Sequence, residues 1–346
     1  MVDRTLTIGV IGDGGWGTAL AALLASNGHR VKLWGAFPAY IEEMRRTRVN
    51  RKFLPEVELP SSIRLTSDLG ETLWESTMLV FAVPAQYLRR VVERVRNSGF
   101  DPAAIIVTVT KGIEVGTLKR GSEIIRETLG AHIHVGGLFG PSHAEEVARR
   151  MPTTVAAACS ERGIAVLIQQ TFSGPFFRVY TNSDLPGCEI CGAVKNVIAV
   201  ASGISDGLNL GDNARAALLT RGLAEMARLA RAVGADPITV SGLAGVGDLI
   251  VTCHSLHSRN RRVGIRVAHG ETLSQIAAST EQVAEGVESS KSIRELAGKY
   301  GVEMPIVKAV YEVLFEEKSP RQAAWELMNR DLKAELEDFR PAHVQQ

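Results

Sequence analysis

Two lysines, one aspartate and one arginine are of types and in places that could do chemistry, and for the first lysine an ionised side chain is costly unless it is used. Lys195 lies in Gly192-Ala193-Val194-Lys195-Asn196-Val197, inside an otherwise small and apolar helical pattern. Desolvation there would lower its pKa toward the working range of a general acid/base; an internal ion pair or a snorkelled lysine is the structural alternative. Lys111, in Thr110-Lys111-Gly112, follows an apolar strand pattern. From that end an ammonium could neutralise a substrate anion or polarise a carbonyl oxygen, or simply be solvated in a loop. Gly140-Pro141-Ser142 follows the next strand, where a hydroxyl and backbone N–H groups could meet substrate oxygens, although the same residues also make turns. Gly245-Val246-Gly247-Asp248 places a carboxylate in a loop, and Ser258-Arg259-Asn260-Arg261-Arg262 places guanidiniums at a helix start. Arg forks match phosphate oxygens and a helix N-terminus adds to the attraction, so this run reads as a phosphate seat, with a solvated basic turn as the alternative.

The elements that must position these groups begin with Leu6-Thr7-Ile8-Gly9-Val10-Ile11, which leads into Gly12-Asp13-Gly14-Gly15-Trp16-Gly17 and then an alanine- and leucine-rich segment. Strand, glycine turn and helix in that order are the context in which GxGxxG binds a dinucleotide. Gly12 makes the tight turn, Gly14 lets backbone approach a pyrophosphate, and Gly17 permits close packing of helix on strand. Apolar strands then alternate with helical patterns at 31–34, 78–82, 104–109, 133–138, 153–158 and 176–180, the rhythm of a doubly wound sheet. After about Ser183 the strand signal stops, and 185–205, 213–233, 259–269, 289–299 and 305–315 carry helical periodicity. The expected fold is α/β: a Rossmann-type doubly wound sheet in residues 1–183 and an all-helical substrate-binding and catalytic domain in 184–340. Such sheets bind ligands beyond the carboxyl ends of their strands, so a second domain packed there would close a cleft, with catalytic groups from both halves. The tail after Arg330 reads as frayed.

Composition narrows the partners. The chain has 346 residues, 45% of them hydrophobic, and a formal net charge of +1. That balance gives no general attraction to nucleic acid, and the basic run lacks interleaved aromatics. No uninterrupted apolar run approaches the roughly 20 residues of a membrane span, and Met1-Val2-Asp3-Arg4 lacks a signal-peptide profile, so a cytoplasmic location is expected. Of four cysteines only Cys188 and Cys191 are close in sequence. With no second CxxC and no ligand scaffold around Cys253, His254 and His257, no metal site is expected.

The glycine turn at 12–17, Thr110-Lys111-Gly112-Ile113-Glu114, Gly140-Pro141-Ser142-His143-Ala144 and Gly192 to Val197 together resemble the NAD(P)-dependent glycerol-3-phosphate dehydrogenase family. Residues 207–217, Gly245-Val246-Gly247-Asp248-Leu249, Ser258-Arg259-Asn260 and Val283-Ala284-Glu285-Gly286 extend the resemblance from about Thr7 to Lys333. It implies reversible reduction of dihydroxyacetone phosphate to sn-glycerol 3-phosphate, the backbone precursor of phospholipids, by a homodimer using NAD(P)H. Lys195 is then the general acid/base, Lys111 binds and polarises substrate, and Asp248 orients Lys195 or the substrate hydroxyl. Arg259 and Asn260 hold phosphate, Gly140, Ser142 and Ser258 are further substrate contacts, and Asn196 and Thr252 orient the set. Gly12, Gly14, Gly15, Trp16, Gly17, Lys111, Ala144, Arg259, Val283 and Glu285 match cofactor positions. Two departures stand out: Ala36 replaces an arginine common in relatives, leaving NADH against NADPH open, and Gly15 replaces serine or alanine. A related two-domain reductase of 3-hydroxy or keto acids is the alternative enzyme, and a nucleotide sensor the alternative outside catalysis.

Overall fold

A computed structural model describes residues 5–280, 283–332 and 334–335. The amino-terminal Met1 to Arg4, Lys333 and most of the tail expected to fray lie outside these residues. Contacts divide the chain into two compact units, Met1–Lys111 with Lys119–Leu185, and Gly112–Leu118 with Pro186–Gln346.

Ten strands form in the first unit: β1 (Thr7–Ile11), β2 (Arg30–Trp34), β3 (Val49–Asn50), β4 (Leu54–Glu58), β5 (Arg64–Thr66), β6 (Met78–Phe81), β7 (Ile105–Thr108), β8 (Val135–Phe139), β9 (Thr153–Ala158) and β10 (Phe177–Asn182). Eight of them make one sheet in the order β10-β9-β8-β7-β6-β1-β2-β5. From β8 to β5 every pairing is parallel. Ile8, Val10, Leu33, Val80 and Val107 are fully buried, which is why these strands read as continuous apolar runs rather than alternating ones. The sheet departs from a purely parallel rhythm at β8, which pairs antiparallel with β9, Gly137 opposite Ala158 and Phe139 opposite Ala156.

The sequence signal missed the β3–β4 hairpin and β5. They are two, five and three residues long and carry Pro55, Glu56, Glu58 and Arg64. Polar residues and proline mark edge strands, where one row of backbone groups needs no partner, and segments this short hold no period. The sheet order β8-β7-β6-β1, parallel throughout, places the loops after these four strands side by side at the carboxyl edge, so Gly12, Val83, Thr110 and Gly140 share one end of the sheet.

Among the described residues after Ser183 every regular element is helical, the long ones being Leu185–Gly207, Asp212–Ala232, Arg259–Ala268, Glu285–Lys299 and Pro305–Phe315. Three short helices, Asp248–His254, Leu273–Ala278 and Pro320–Met328, had no periodic signal. Leu185–Gly207 also qualifies the expectation of no span-length apolar segment: its mean hydropathy reaches 1.3 over 18 residues, all buried inside the protein. Cys188 and Cys191 are buried on it.

Candidate active site

In the first unit the turn after β1 has the backbone its glycines imply. Gly12 takes φ +119°, a conformation closed to most L residues. A Cβ on Gly17 would collide with the Gly12 carbonyl, so the helix Gly15–Ser26 can start against the turn only with glycine there. Gly14 faces open space and is the N-cap of that helix without a side-chain cap, so first-turn N–H groups remain for anionic oxygens. A Cβ on Gly15 would lie 3.5 Å from Ala144 Cβ, which brings two expected cofactor positions side by side. The indole Nε1 of Trp16 is buried without a hydrogen-bond partner. An orphaned donor and an uncapped helix start fit a dinucleotide pyrophosphate.

Lys111 follows β7 at the same end of the sheet. Its Nζ donates to the Gly140 carbonyl at 3.0 Å and approaches Ser142 Oγ at 3.4 Å, while Ser142 Oγ donates to the same carbonyl at 2.8 Å. Gly140 has φ +135°, which turns its carbonyl into this cluster. Lys111, Gly140 and Ser142 therefore form one group, held by Thr110, whose hydroxyl donates to the Val83 carbonyl at 2.8 Å.

In the second unit Lys195 is buried and meets a carboxylate that does not come from a loop. Asp248 is the first residue of helix Asp248–His254, entered directly from a π-helical turn over Leu243–Gly247. Glycine at 245 permits that close turn, since a Cβ there would collide with Val240 backbone. Lys195 Nζ donates to Asp248 Oδ1 at 3.0 Å and to Thr252 Oγ1 at 2.8 Å, and Thr252 Oγ1 donates to the Asp248 carbonyl at 2.6 Å. The side chains of Lys195 and Asp248 are 8% and 2% exposed. Burial pushes the neighbouring Cys253 thiol up to about 12, opposed by the Lys195 charge, which leaves it an unreactive neutral group.

The asparagines form a second knot. Asn260 Nδ2 donates to Asn196 Oδ1 at 2.9 Å, and its Oδ1 accepts from the Gly286 N–H at 2.9 Å. Helices Leu185–Gly207, Arg259–Ala268 and Glu285–Lys299 are thereby tied at one point. Their closeness depends on glycine, since a Cβ on Gly203 or Gly264 would collide with the Arg261 or Val200 carbonyl. Glu285 opens the third helix, and Val283 lies just before it, exposed. Ser258 caps the second helix, accepting from the Arg261 N–H at 3.2 Å.

The basic run divides by role. Arg261 donates to Asp206 Oδ2 at 2.7 Å, and Arg215 donates to the other oxygen of the same carboxylate. Arg259 is exposed and has neither a hydrogen bond nor an ion pair among the described residues. Sequence reasoning overlooked Asp206 and Gly286, whose partners lie 55 and 26 residues away; Gly286 had a signal as the last residue of a quoted motif. It also overlooked Asp13 inside the glycine turn.

Comparison with known proteins agrees across both units. A family model described as NAD-dependent glycerol-3-phosphate dehydrogenase N-terminus matches residues 7–165, and its C-terminus counterpart matches 184–324. A glycerol-3-phosphate dehydrogenase [NAD(P)+] of Chlorobium limicola is 50% identical, covering 95% of this chain and 99% of that protein. One from Geobacillus thermodenitrificans is 51% identical, covering 96% and 97%. A crystal structure of the Coxiella burnetii glycerol-3-phosphate dehydrogenase superposes with a TM-score of 0.91 at 38% identity, over 94% of this chain and 99% of that one.

Proposed function

The chain belongs to the NAD-dependent glycerol-3-phosphate dehydrogenase family, and on that premise we propose how its own residues reduce dihydroxyacetone phosphate to sn-glycerol 3-phosphate. The observation that carries the reading is the buried Lys195–Asp248–Thr252 cluster. Lys195 and the free Arg259 each directly precede one partner of the Asn196–Asn260 hydrogen bond. An acid/base and a phosphate ligand are thus anchored to one point, as a substrate with a carbonyl at one end and a phosphate at the other requires.

Reduced nicotinamide, when bound, supplies the hydride. Lys195 gives a proton to the substrate C2 oxygen, so the developing alkoxide becomes the C2 hydroxyl of the product and the lysine is left neutral until solvent returns its proton. Asp248 and Thr252 hold the ammonium in place between turnovers. Arg259 binds phosphate with its fork, and the N–H groups behind the Ser258 cap add to that attraction. Lys111, with Ser142 and Gly140, binds and polarises substrate; Gly12, Gly14, Gly15, Trp16, Gly17 and Ala144 form the dinucleotide site of the first unit, and Val283 and Glu285 match positions where the family touches cofactor. A homodimer and a cytoplasmic location belong to the same reading. The apolar groove of about 730 Å³ in the helical unit, edged by exposed Trp325 and Met328, supports the dimer.

The test is oxidation of NADH and NADPH on adding dihydroxyacetone phosphate to wild-type protein and to Lys195→Ala. The wild type is expected to turn over. The variant is expected to lose about 10²–10⁴-fold in kcat while binding dinucleotide normally. Turnover of a keto acid in place of the triose phosphate would move the assignment to another reductase, and near-normal kcat in Lys195→Ala would remove the lysine from the proton transfer.

A further inference from the structure

Asp13 stands between Gly12 and Gly14, and its carboxylate lies against Gly35, the first residue after β2. A Cβ at position 35 would collide with Asp13 Oδ2 and come within 2.6 Å of its Cγ. Oδ2 is buried and has no hydrogen-bond partner. The backbone beneath it is pinned: the Asp13 carbonyl accepts from Asn50 Nδ2 at 2.7 Å and from Thr18 Oγ1 at 3.3 Å. Asn50 is fixed in turn by the Tyr40 hydroxyl at 2.6 Å. Burial raises the pKa of the Asp13 carboxyl from its ordinary value, opposed by a backbone hydrogen bond and by the Lys52 charge.

In a doubly wound sheet the adenosine ribose of a bound dinucleotide sits over the end of β2. There an acidic side chain receives the ribose hydroxyls of NAD, and a nearby arginine receives the 2′-phosphate of NADP. The end of this strand reads Trp34-Gly35-Ala36-Phe37 and supplies neither. We propose that Asp13 delivers from the glycine turn the carboxylate that the end of β2 lacks, so that the site accepts a ribose 2′-hydroxyl, rejects a 2′-phosphate, and selects NADH. The proposal rests on reading the glycine turn as the dinucleotide site.

The physical argument is one of charge in a partly dry place. A ribose hydroxyl brings a donor to an acceptor that has none, whereas a phosphate monoester brings close to two negative charges against a carboxylate oxygen already out of water. Gly35 contributes by having no side chain, because any Cβ there would displace the carboxylate from the strand end. Two cations lie in this region: Lys52, whose Nζ is 5.3 Å from the centre of the Tyr40 ring, and Arg94, whose guanidinium carbon is 5.0 Å from the centre of the Trp34 ring at the end of β2. These are the residues that would favour a 2′-phosphate if the balance ran the other way.

Equilibrium titration with NADH and NADPH, followed by nicotinamide fluorescence without substrate, tests this independently of turnover. Wild-type protein is expected to bind NADH at least about tenfold more tightly than NADPH. Asp13→Asn, which keeps the shape and removes the charge, is expected to bring the two within about threefold, chiefly by tightening NADPH. Gly35→Ala, which moves the carboxylate without removing it, should narrow the ratio in the same direction. An unchanged ratio in both variants, with both dinucleotides still bound, would overturn the proposal. So would a wild type that prefers NADPH, and loss of that preference in Lys52→Met or Arg94→Met would then name the cation responsible. Binding of neither dinucleotide by the wild type would overturn the cofactor reading and this proposal with it.

Discussion

A guanidinium exposed at the first turn of a helix and engaged with no group among the described residues is available to a ligand, and Arg259 is in that position. Its neighbour Arg261 has the same side chain but spends it on Asp206. Arg259→Ala is therefore expected to raise KM for dihydroxyacetone phosphate by about 10–100-fold, the worth of a lost charge-assisted hydrogen-bond pair, while kcat changes only a few-fold. Arg259→Lys should recover only part of the loss, because a point charge does not reproduce the fork. Steady-state kinetics of the two variants check this, and a fall in kcat with KM unchanged would contradict a binding role. Which of the two arginines is free was not legible in the sequence, because Asp206 and Arg261 meet only after folding. The lysine and the aspartate were singled out in the sequence because each breaks small, apolar surroundings, and the arginine because it belongs to a basic run at a helix start. Thr252 entered only through the resemblance: a threonine inside a helix carries no signal until a lysine 57 residues earlier donates to it.

At the scale of elements, the site depends on two helices approaching backbone to backbone. Asn196, Val200, Gly203 and Gly207 lie along one stripe of Leu185–Gly207, and Asn260, Gly264 and Ala268 lie along one stripe of Arg259–Ala268. Glycine at 203 and 264 sets the spacing that lets the asparagines bond. Gly203→Ala would drive a methyl group into the Arg261 carbonyl, which cannot rotate away as a side chain could. The expected cost is about 1–3 kcal/mol of stability, with a rise in KM for the phosphorylated substrate larger than any change in dinucleotide affinity. Thermal unfolding and paired titrations measure both, and wild-type values in each would show that the spacing tolerates a methyl. Long periodic helices were legible in the sequence, Pro305–Phe315 to the residue. The short helix carrying Asp248 was not, because seven residues make only two turns and the glycines ahead of them suggest a loop.

For the whole molecule, the alternation of strands and helices announced a sheet followed by a helical half, but nothing in the sequence marked Gly112–Leu118 as grouping with the second unit. Nor did it mark Glu225, which in a helical pattern reads as a solvated residue yet is 1% exposed. The helix Pro305–Phe315 starts with proline and has no side-chain cap of its own, and Glu225 supplies one, accepting from the Ile306 N–H at 2.6 Å and the Val307 N–H at 3.2 Å. Burial raises the Glu225 carboxyl from 4.5 to about 7, against the pull of those two N–H groups and of Arg228 and Arg330. Between these two pH values the folded chain keeps a proton that the unfolded chain releases, so stability falls as pH rises through the window. Below it both states are protonated and above it both are ionised, and the contribution stops changing. The full step is on the order of 3 kcal/mol. Glu225→Gln keeps an acceptor for the helix N-terminus and removes the titration. Urea unfolding of both proteins from pH 4.5 to 8 should then show the variant gaining on the wild type by about that amount as pH rises, because every other titrating group cancels in the difference. Parallel curves would mean that Glu225 ionises in the folded chain as it does in the unfolded one, with its two N–H partners and the arginine charges fully offsetting burial.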